Sequence, residues 1–312
     1  MADKIIELFN QVLQNWDFYA AKIVQLTIYG LQLGTIYSLI ALGYTMVYGI
    51  VNLINFAHGD FLMIGAYSAF FTALYAGTSL PVALVCAMLA AGLIAVVTEL
   101  IAYRPMRDQP KLSALVTALG VSIFIQNLCR ALPFMGPIPK PFPRFLPDVT
   151  YTFWTVRISL AQIIFIAMAF VLMMILNFIV HHTKTGRNMR AIAMDRDASV
   201  LMGTNVNRII TLTFLIGGAL AGAGGLIYSS MYPVLEVTMG GFLGNKAFVA
   251  AVVGGIGSIR GAMWGGIIMG LAEVYATAIN AEIGFGAAYL ILIIILLVKP
   301  AGLFGKAVVE KV

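Results

Sequence analysis

Four polar side chains fall within nine residues of VNLINFAHGDF: Asn52, Asn55, His58 and Asp60, where a first long apolar run meets a second. Two amides, an imidazole and a carboxylate can donate, accept and pass protons, and together they can line a watery path. In an apolar environment such groups are costly, so they face a bundle interior, a cavity or one another. Local uses are open as well: Asn55 or Asp60 can cap the second helix, and His58 can bond a neighbouring carbonyl. With Glu273, in GLAEVYATAI, these four are the candidates for a polar path through an apolar core.

Glu273 reads as the only carboxylate well inside an apolar run. It is protonated, bonded to another helix or lining water, since an unpaired charge there is strongly disfavoured. A proton relay needs a partner carboxylate or histidine at similar depth, and none is apparent. Glu99 lies one helical turn before Tyr103 and Arg104, a spacing that fits a structural ion pair. Gln126 and Asn127 read as hydrogen-bond glue between helices. Cys86 and Cys129 sit inside apolar runs, which indicates neither a disulfide framework nor a metal site. H-E-x-x-H, G-x-S-x-G and the phosphate-cradling G-x-x-x-x-G-K-[ST] are all missing, so the chain reads as no enzyme, with no cofactor of its own.

A different chemistry is offered by HHTKTGRNMRAIAMDRDASVLMGTNVNR, residues 181–208. Gly186 separates a long apolar run from the helix-favouring RNMRAIAM; Asp195 or Asp197 offers an N-cap; ASVLM adds a turn; Gly203 is a natural stop. Ala191, Met194, Ala198, Leu201 and Met202 recur at spacings of three and four, with Arg187, Arg190 and Arg196 around them. The pattern describes two short helices with an apolar contact strip and a basic rim, resting on anionic lipid or docking a soluble protein.

The elements that hold these residues follow from composition. Hydrophobic residues make up 61% of the 312 and charged residues 10%, with a mean hydropathy of +0.96. Soluble domains carry about 25% charge, so this is an all-α polytopic membrane bundle, its apolar runs being helix-length. The net charge of +6 reads as loop Lys and Arg that set topology, with no nucleic-acid partner implied.

Apolar runs predict spans near 23–50, 54–76, 79–102, 112–129, 158–180, 209–230, 242–258, 262–280 and 284–298. The stretch 242–258 is short, broken by glycine and holds Lys246, so it crosses or re-enters and the count is eight to ten. If all nine cross, one set of loops holds twelve Lys and Arg and the other six, with Lys246 unassigned. The positive-inside rule then puts residues 181–208 and the tail, 301–312, in the cytoplasm. It puts the N-terminal interfacial segment, 1–22, and the proline-rich loop, 130–157, outside, leaving 23–300 as the permeating body. Gly30 with Gly34, Gly218 with Gly222 and Gly261 with Gly265 allow close helix approach, and VVGGIGSIRGAMWGG implies a tight turn or broken helix around Arg260. A faint echo between INFAHGDFLMIGAYSAF and LGNKAFVAAVVGGIGSI hints at an internal repeat.

Asp197, Ala198, Ser199 and Gly203 fall at the spacing of the E-A-A-x-x-x-G loop motif of ABC importer permeases, with Asp for Glu and Ser for the second Ala. GTIYSLIALGYTMVYGIVNLINFAHGDFLMIGAY, YRPMR, KAFVAAVVGGIGSIRGAMWGGIIMG and VKPAGLFG extend the likeness over most of the chain from about residue 30. The chain resembles the LivH-type permease subunits of high-affinity branched-chain amino-acid ABC transporters. The resemblance implies an ABC-importer permease fold in a bacterial inner membrane, paired with a LivM-like second permease. It also implies two cytoplasmic ATPases that bind ATP and Mg, and an external binding protein. Arg187, Arg190, Asp195, Asp197, Ala198 and Gly203 would meet an ATPase. Relatives that carry other amino acids, urea or short amides stay open as models, and so does the different class of ion-coupled secondary transporter.

Overall fold

The computed structural model describes residues 16–51, 53–107 and 109–305. Asn52, most of the predicted N-terminal segment and residues 306–312 of the tail lie outside the described residues. Nine helices of sixteen residues or more make up the body: α1 (Trp16–Val51), α2 (His58–Ala76), α3 (Leu80–Thr98), α5 (Lys111–Ala131), α6 (Leu160–His182), α9 (Val206–Met231), α10 (Met239–Gly254), α11 (Ile259–Ile279) and α12 (Ala281–Val298). Three short helices join them: α4 (Arg104–Met106), α7 (Lys184–Met194) and α8 (Arg196–Leu201).

Among the described residues, seven helices are long and apolar enough to cross a membrane. The other two are internal pieces: α2, with His58 and Asp60 in its first turn, and α10, only 16 residues long. Burial sorts the seven. In the most apolar windows of α1 and α9, 78% and 72% of residues are buried, against 17% for α12 and 28% for α3, α5 and α6. A helix facing lipid needs only one packed face, so α1 and α9 are the central posts and the others the rim.

The nine helices alternate in direction. One end of the bundle gathers Gln25 with Arg157 and Ile23 with Tyr275. It also carries two antiparallel strand pairs, β1 (Lys140–Pro141) with β4 (Val234–Leu235) and β2 (Thr150–Phe153) with β3 (Val156–Ser159). Among the described residues these small strands are the one departure from an all-α chain: β1 and β2 lie in the proline-rich loop, where helix is disfavoured, β3 at its end, and β4 after α9. The opposite end gathers α7, α8, the Arg107–Asn207 bond and the approach of Gly257 to Gly49. α10 begins just after β4, where its Gly240 meets Gly59 at the start of α2, and ends at this opposite end, where Gly254 meets Gly261.

Two local breaks matter. After α3 the chain widens into a π-helical turn, Glu99–Tyr103, just ahead of Pro105, which has no N–H to give and whose ring crowds the preceding turn. Between α1 and α2 the chain stays inside: His58 packs against Gly43 of α1 and Gly217, near the middle of α9. The start of α2 therefore lies in mid-bundle, where its free N–H groups need partners. His58 N–H bonds the Asn55 carbonyl at 3.1 Å and Asp60 N–H that of Ala57 at 3.0 Å. The turn expected near Arg260 is made by Gly255 (φ 107°) and Gly257 (φ 91°), and Arg260 itself lies in the first turn of α11.

The glycine pairs work as read. A Cβ on Gly65 would overlap Gly222, and one on Gly222 would overlap the Ala87 carbonyl, so α2, α9 and α3 touch backbone to backbone. Gly222→Val should therefore cost about 3 kcal/mol or more by overpacking. Gly120→Ala, with nothing within 4 Å, should gain up to about 1 kcal/mol of helix propensity. Thermal midpoints of the detergent-solubilised protein by size-exclusion chromatography check both, and equal midpoints would refute this account of the packing.

Candidate functional site

The polar cluster at the start of α2 is fully internal, with Asn55 2%, His58 1% and Asp60 1% exposed. Tyr103 Oη donates to Asn55 Oδ1 at 2.6 Å, and Gln126 Nε2 of α5 donates to Asp60 Oδ1 at 2.9 Å. The His58 ring lies edge-on to Tyr44 and Phe61, with centroids 4.7 and 5.7 Å away. Capping by Asp60 or Asn55 does not occur. The residue before α2 is Ala57, without a side-chain cap bond, and Asp60 lies inside the first turn, turned toward α5. Gln126 is interhelical glue as read, whereas Asn127 bonds the Ile123 carbonyl of its own helix.

Buried polar groups are ordinarily paired. Here Asn55 Nδ2, His58 Nε2 and Asp60 Oδ2 have no hydrogen-bond partner, nor do Thr45 Oγ1 and Tyr67 Oη. Three of the seven such atoms among the described residues lie at the break between α1 and α2, while Arg107 Nε and Asn177 Oδ1 lie elsewhere.

Glu273 is not the only carboxylate at depth, since Asp60 and Glu99 are also buried. It is bonded to two other helices. Lys246 Nζ of α10 stands 2.5 Å from Oε1, and Tyr37 Oη of α1 donates to Oε2 at 2.9 Å. Lys246, left without a loop in the charge count, lies inside α10 and is 2% exposed. Its ammonium sits 4.5 Å from the Phe242 ring centroid and 5.1 Å from that of Phe285, a cation held by a carboxylate and two aromatic faces. Sequence reading flagged each charge and missed the pair. Two opposite, solitary charges in neighbouring apolar helices were the available signal. No hydrogen bond or ion pair among the described residues joins Glu273 to the α2 cluster. α10 touches both, through Lys246 and through Phe248 packed on Tyr44.

Glu99 is a structural hub. Arg107 and Arg104 pair with it, the latter at 3.3 Å, and Thr211 Oγ1 of α9 donates to it at 2.8 Å. Arg107 also donates to Asn207 at 2.6 Å, tying the π-helical turn to the first turn of α9.

The 181–208 segment folds as two short helices, with the break placed differently from expectation. Thr183, not Gly186, ends α6 and starts α7: its Oγ1 accepts from Gly186 N–H at 3.1 Å. Gly186 lies in the first turn of α7, pressed on the Ile179 and Val180 carbonyls where a side chain has no room. Asp195 is the N-cap of α8, accepting from Ala198 N–H at 2.9 Å, and Gly203 (φ 80°) ends it. Met189 and Ile192 anchor the unit inward, and Arg190 Nη1 donates to the Val180 carbonyl. The strip read from spacing faces outward. Met194, Leu201 and Met202 are 89%, 88% and 86% exposed, and Ala191 and Ala198 are exposed beside them. Arg187, Arg190 and Asp197 are also exposed.

A bundle with two internal helices, an unpaired polar centre and an outward apolar and basic face at one end is a multi-pass membrane permease component. The model of the branched-chain amino acid transport system permease component matches residues 26–298, and the chain belongs to that family. It is 38% identical over 301 residues to the high-affinity branched-chain amino acid transport system permease protein LivH of Escherichia coli (strain K12), covering 91% of this chain and 96% of that one. To BraD of Pseudomonas aeruginosa it is 39% identical over 307 residues, covering 93% and 98%. A probable LivH of Methanocaldococcus jannaschii is 28% identical, covering 86% and 88%. No solved structure matches.

The ion pair makes a test. Lys246→Met leaves Glu273 without its cation and should destabilise the protein by about 3 kcal/mol, while Lys246→Met with Glu273→Gln should return to within about 1 kcal/mol of the parent. Thermal midpoints of the two variants in detergent decide it; a double variant no better than the single would remove the pairing from the account.

Proposed function

We propose that this chain is one of two permeases forming the membrane path of a binding-protein-dependent ABC importer for branched-chain amino acids. The single observation that carries the reading is the α7–α8 face. Three large apolar side chains stand nearly fully exposed in a basic setting, on a unit anchored to the bundle by its other side. The excess of basic loops assigns this face to the cytoplasm and the strand end to the outside of an inner membrane. The partners are a LivM-like permease, two ATPases that bind ATP and Mg, and an external binding protein. The printed names of the relatives support branched-chain amino acids as the cargo.

The coupling route follows from the anchoring. A push on α7–α8 reaches α6 through Thr183 and the Arg190 bond, and α9 through Asn205, whose Oδ1 caps that helix by accepting Arg208 N–H. α9 in turn supports the start of α2 where Gly217 meets His58. ATPase closure thus biases one of two bundle arrangements, provided the ATPases bind one more tightly. Asn55, His58 and Asp60 would line the moving centre.

Met194→Glu and Leu201→Glu put charge on the docking face and leave Met189, Ile192 and the Arg190 tie in place. Recovery of ATPase subunits with the affinity-purified permease is expected to fall at least tenfold, or about 1.4 kcal/mol, with ATP-driven leucine uptake lost and membrane insertion kept. Normal ATPase recovery would return this face to lipid. Leucine uptake by the purified chain under an ion gradient, without ATPases, would make it a secondary transporter.

A further inference from the structure

A cavity of about 690 Å³ opens at the strand end between α1, β3, α6 and α11. It lies apart from the α2 cluster and has a mixed wall. Among its lining residues only Arg157 and Glu273 are charged, one of each sign. The wall also carries an amide pair, Gln162 Nε2 donating to Gln32 Oε1 at 2.8 Å. Gln162 Oε1 is taken by Ser159 N–H at 2.9 Å, and no hydrogen bond uses the Gln32 amide nitrogen, which stays available as a donor. The remaining wall includes aliphatic positions such as Leu33 and Val274.

That wall selects among ligand classes. A neutral sugar gains little from opposed charges and an aliphatic strip. An anion meets Glu273, and a simple cation meets Arg157. A zwitterion with an aliphatic side chain satisfies every part: an ammonium for the carboxylate, a carboxylate for the guanidinium and the Gln32 donor, and a hydrocarbon tail for the rest. Glu273 is built for the first role. Lys246 and Tyr37 fix its two oxygens from the far side, and each oxygen can accept a further bond. Its side chain is 13% exposed while that of Lys246 is 3% exposed, so only the carboxylate is open to an incoming group.

We propose that this cavity is a vestibule that binds the zwitterionic head of an aliphatic amino acid, Glu273 taking the ammonium and Arg157 with Gln32 the carboxylate. The inference rests on reading the chain as an amino-acid permease and adds where, and by which groups, this subunit meets its cargo.

Ala278 lines the cavity and is exposed, which makes it a reporter. In cells carrying the complete transporter, with Cys86 and Cys129 replaced by serine, Ala278→Cys is labelled by a membrane-impermeant maleimide. Excess L-leucine is expected to slow labelling at least fivefold. Its deaminated analogue 4-methylpentanoate and its decarboxylated analogue 3-methylbutylamine should each slow it less than twofold. Arg157→Gln should abolish protection by leucine, and so should Lys246→Met with Glu273→Gln, which leaves no unpaired charge inside. Met194→Glu tests the other reading: it is expected to stop uptake and leave protection intact. No labelling from outside, no protection while leucine uptake is normal, equal protection by all three compounds, or protection that survives both charge substitutions would each overturn the proposal.

Discussion

The arrangement depends on one close contact: the His58 ring lies where a Cβ on Gly43 would otherwise stand, with Gly217 of α9 in van der Waals reach of it. A ring there lets the chain leave α1, stay inside and begin α2 at mid-bundle. Irregular backbone at membrane depth is tolerated only inside protein or against water. Here α1 and α9 enclose it, and the break brings Asn55, His58 and Asp60 with it. Glycine at 59 then lets α2 meet Gly240 and Gly244 of α10, so the two internal helices touch near their N-terminal ends. The faint sequence echo between these stretches corresponds to two helices packed on each other. A duplication is a separate claim, and the packing does not require one.

What was legible in the sequence followed the physics of each element. Helix number followed from apolar length, because a bilayer demands it. The α7–α8 unit has soluble-like patterning, so its Asp195 cap and Gly203 stop could be read. Its inward face could not. Both faces carry apolar residues, and Met189 and Ile192 are no more hydrophobic than Met194 and Leu201. Periodicity could not show the Lys246–Glu273 pair either, because α10 and α11 are apolar nearly all round and reveal no face; only the two solitary opposite charges pointed to it. Assigning Asp60 a capping role failed for a related reason: capping needs the residue just before the helix, and where a helix starts in mid-bundle depends on packing against α1 and α9.

The two buried carboxylates and the partly buried Glu273 are treated in three ways. Glu99 has two arginines and a threonine and stitches α3 and α4 to α9 at the docking end. Glu273 has a lysine and a tyrosine behind it and one open side toward a cavity. Asp60 has an amide donor on one oxygen and no partner on the other. In a low-dielectric interior a fully paired charge holds elements together, and an unpaired polar atom favours any rearrangement that supplies its partner. Glu99 therefore belongs to the fixed frame, through which the proposed coupling would be transmitted. Asp60, with His58 and Asn55, belongs to the part that can lower its free energy by moving. Glu273 stands between the two, fixed by the frame and, in the proposed vestibule, facing what enters.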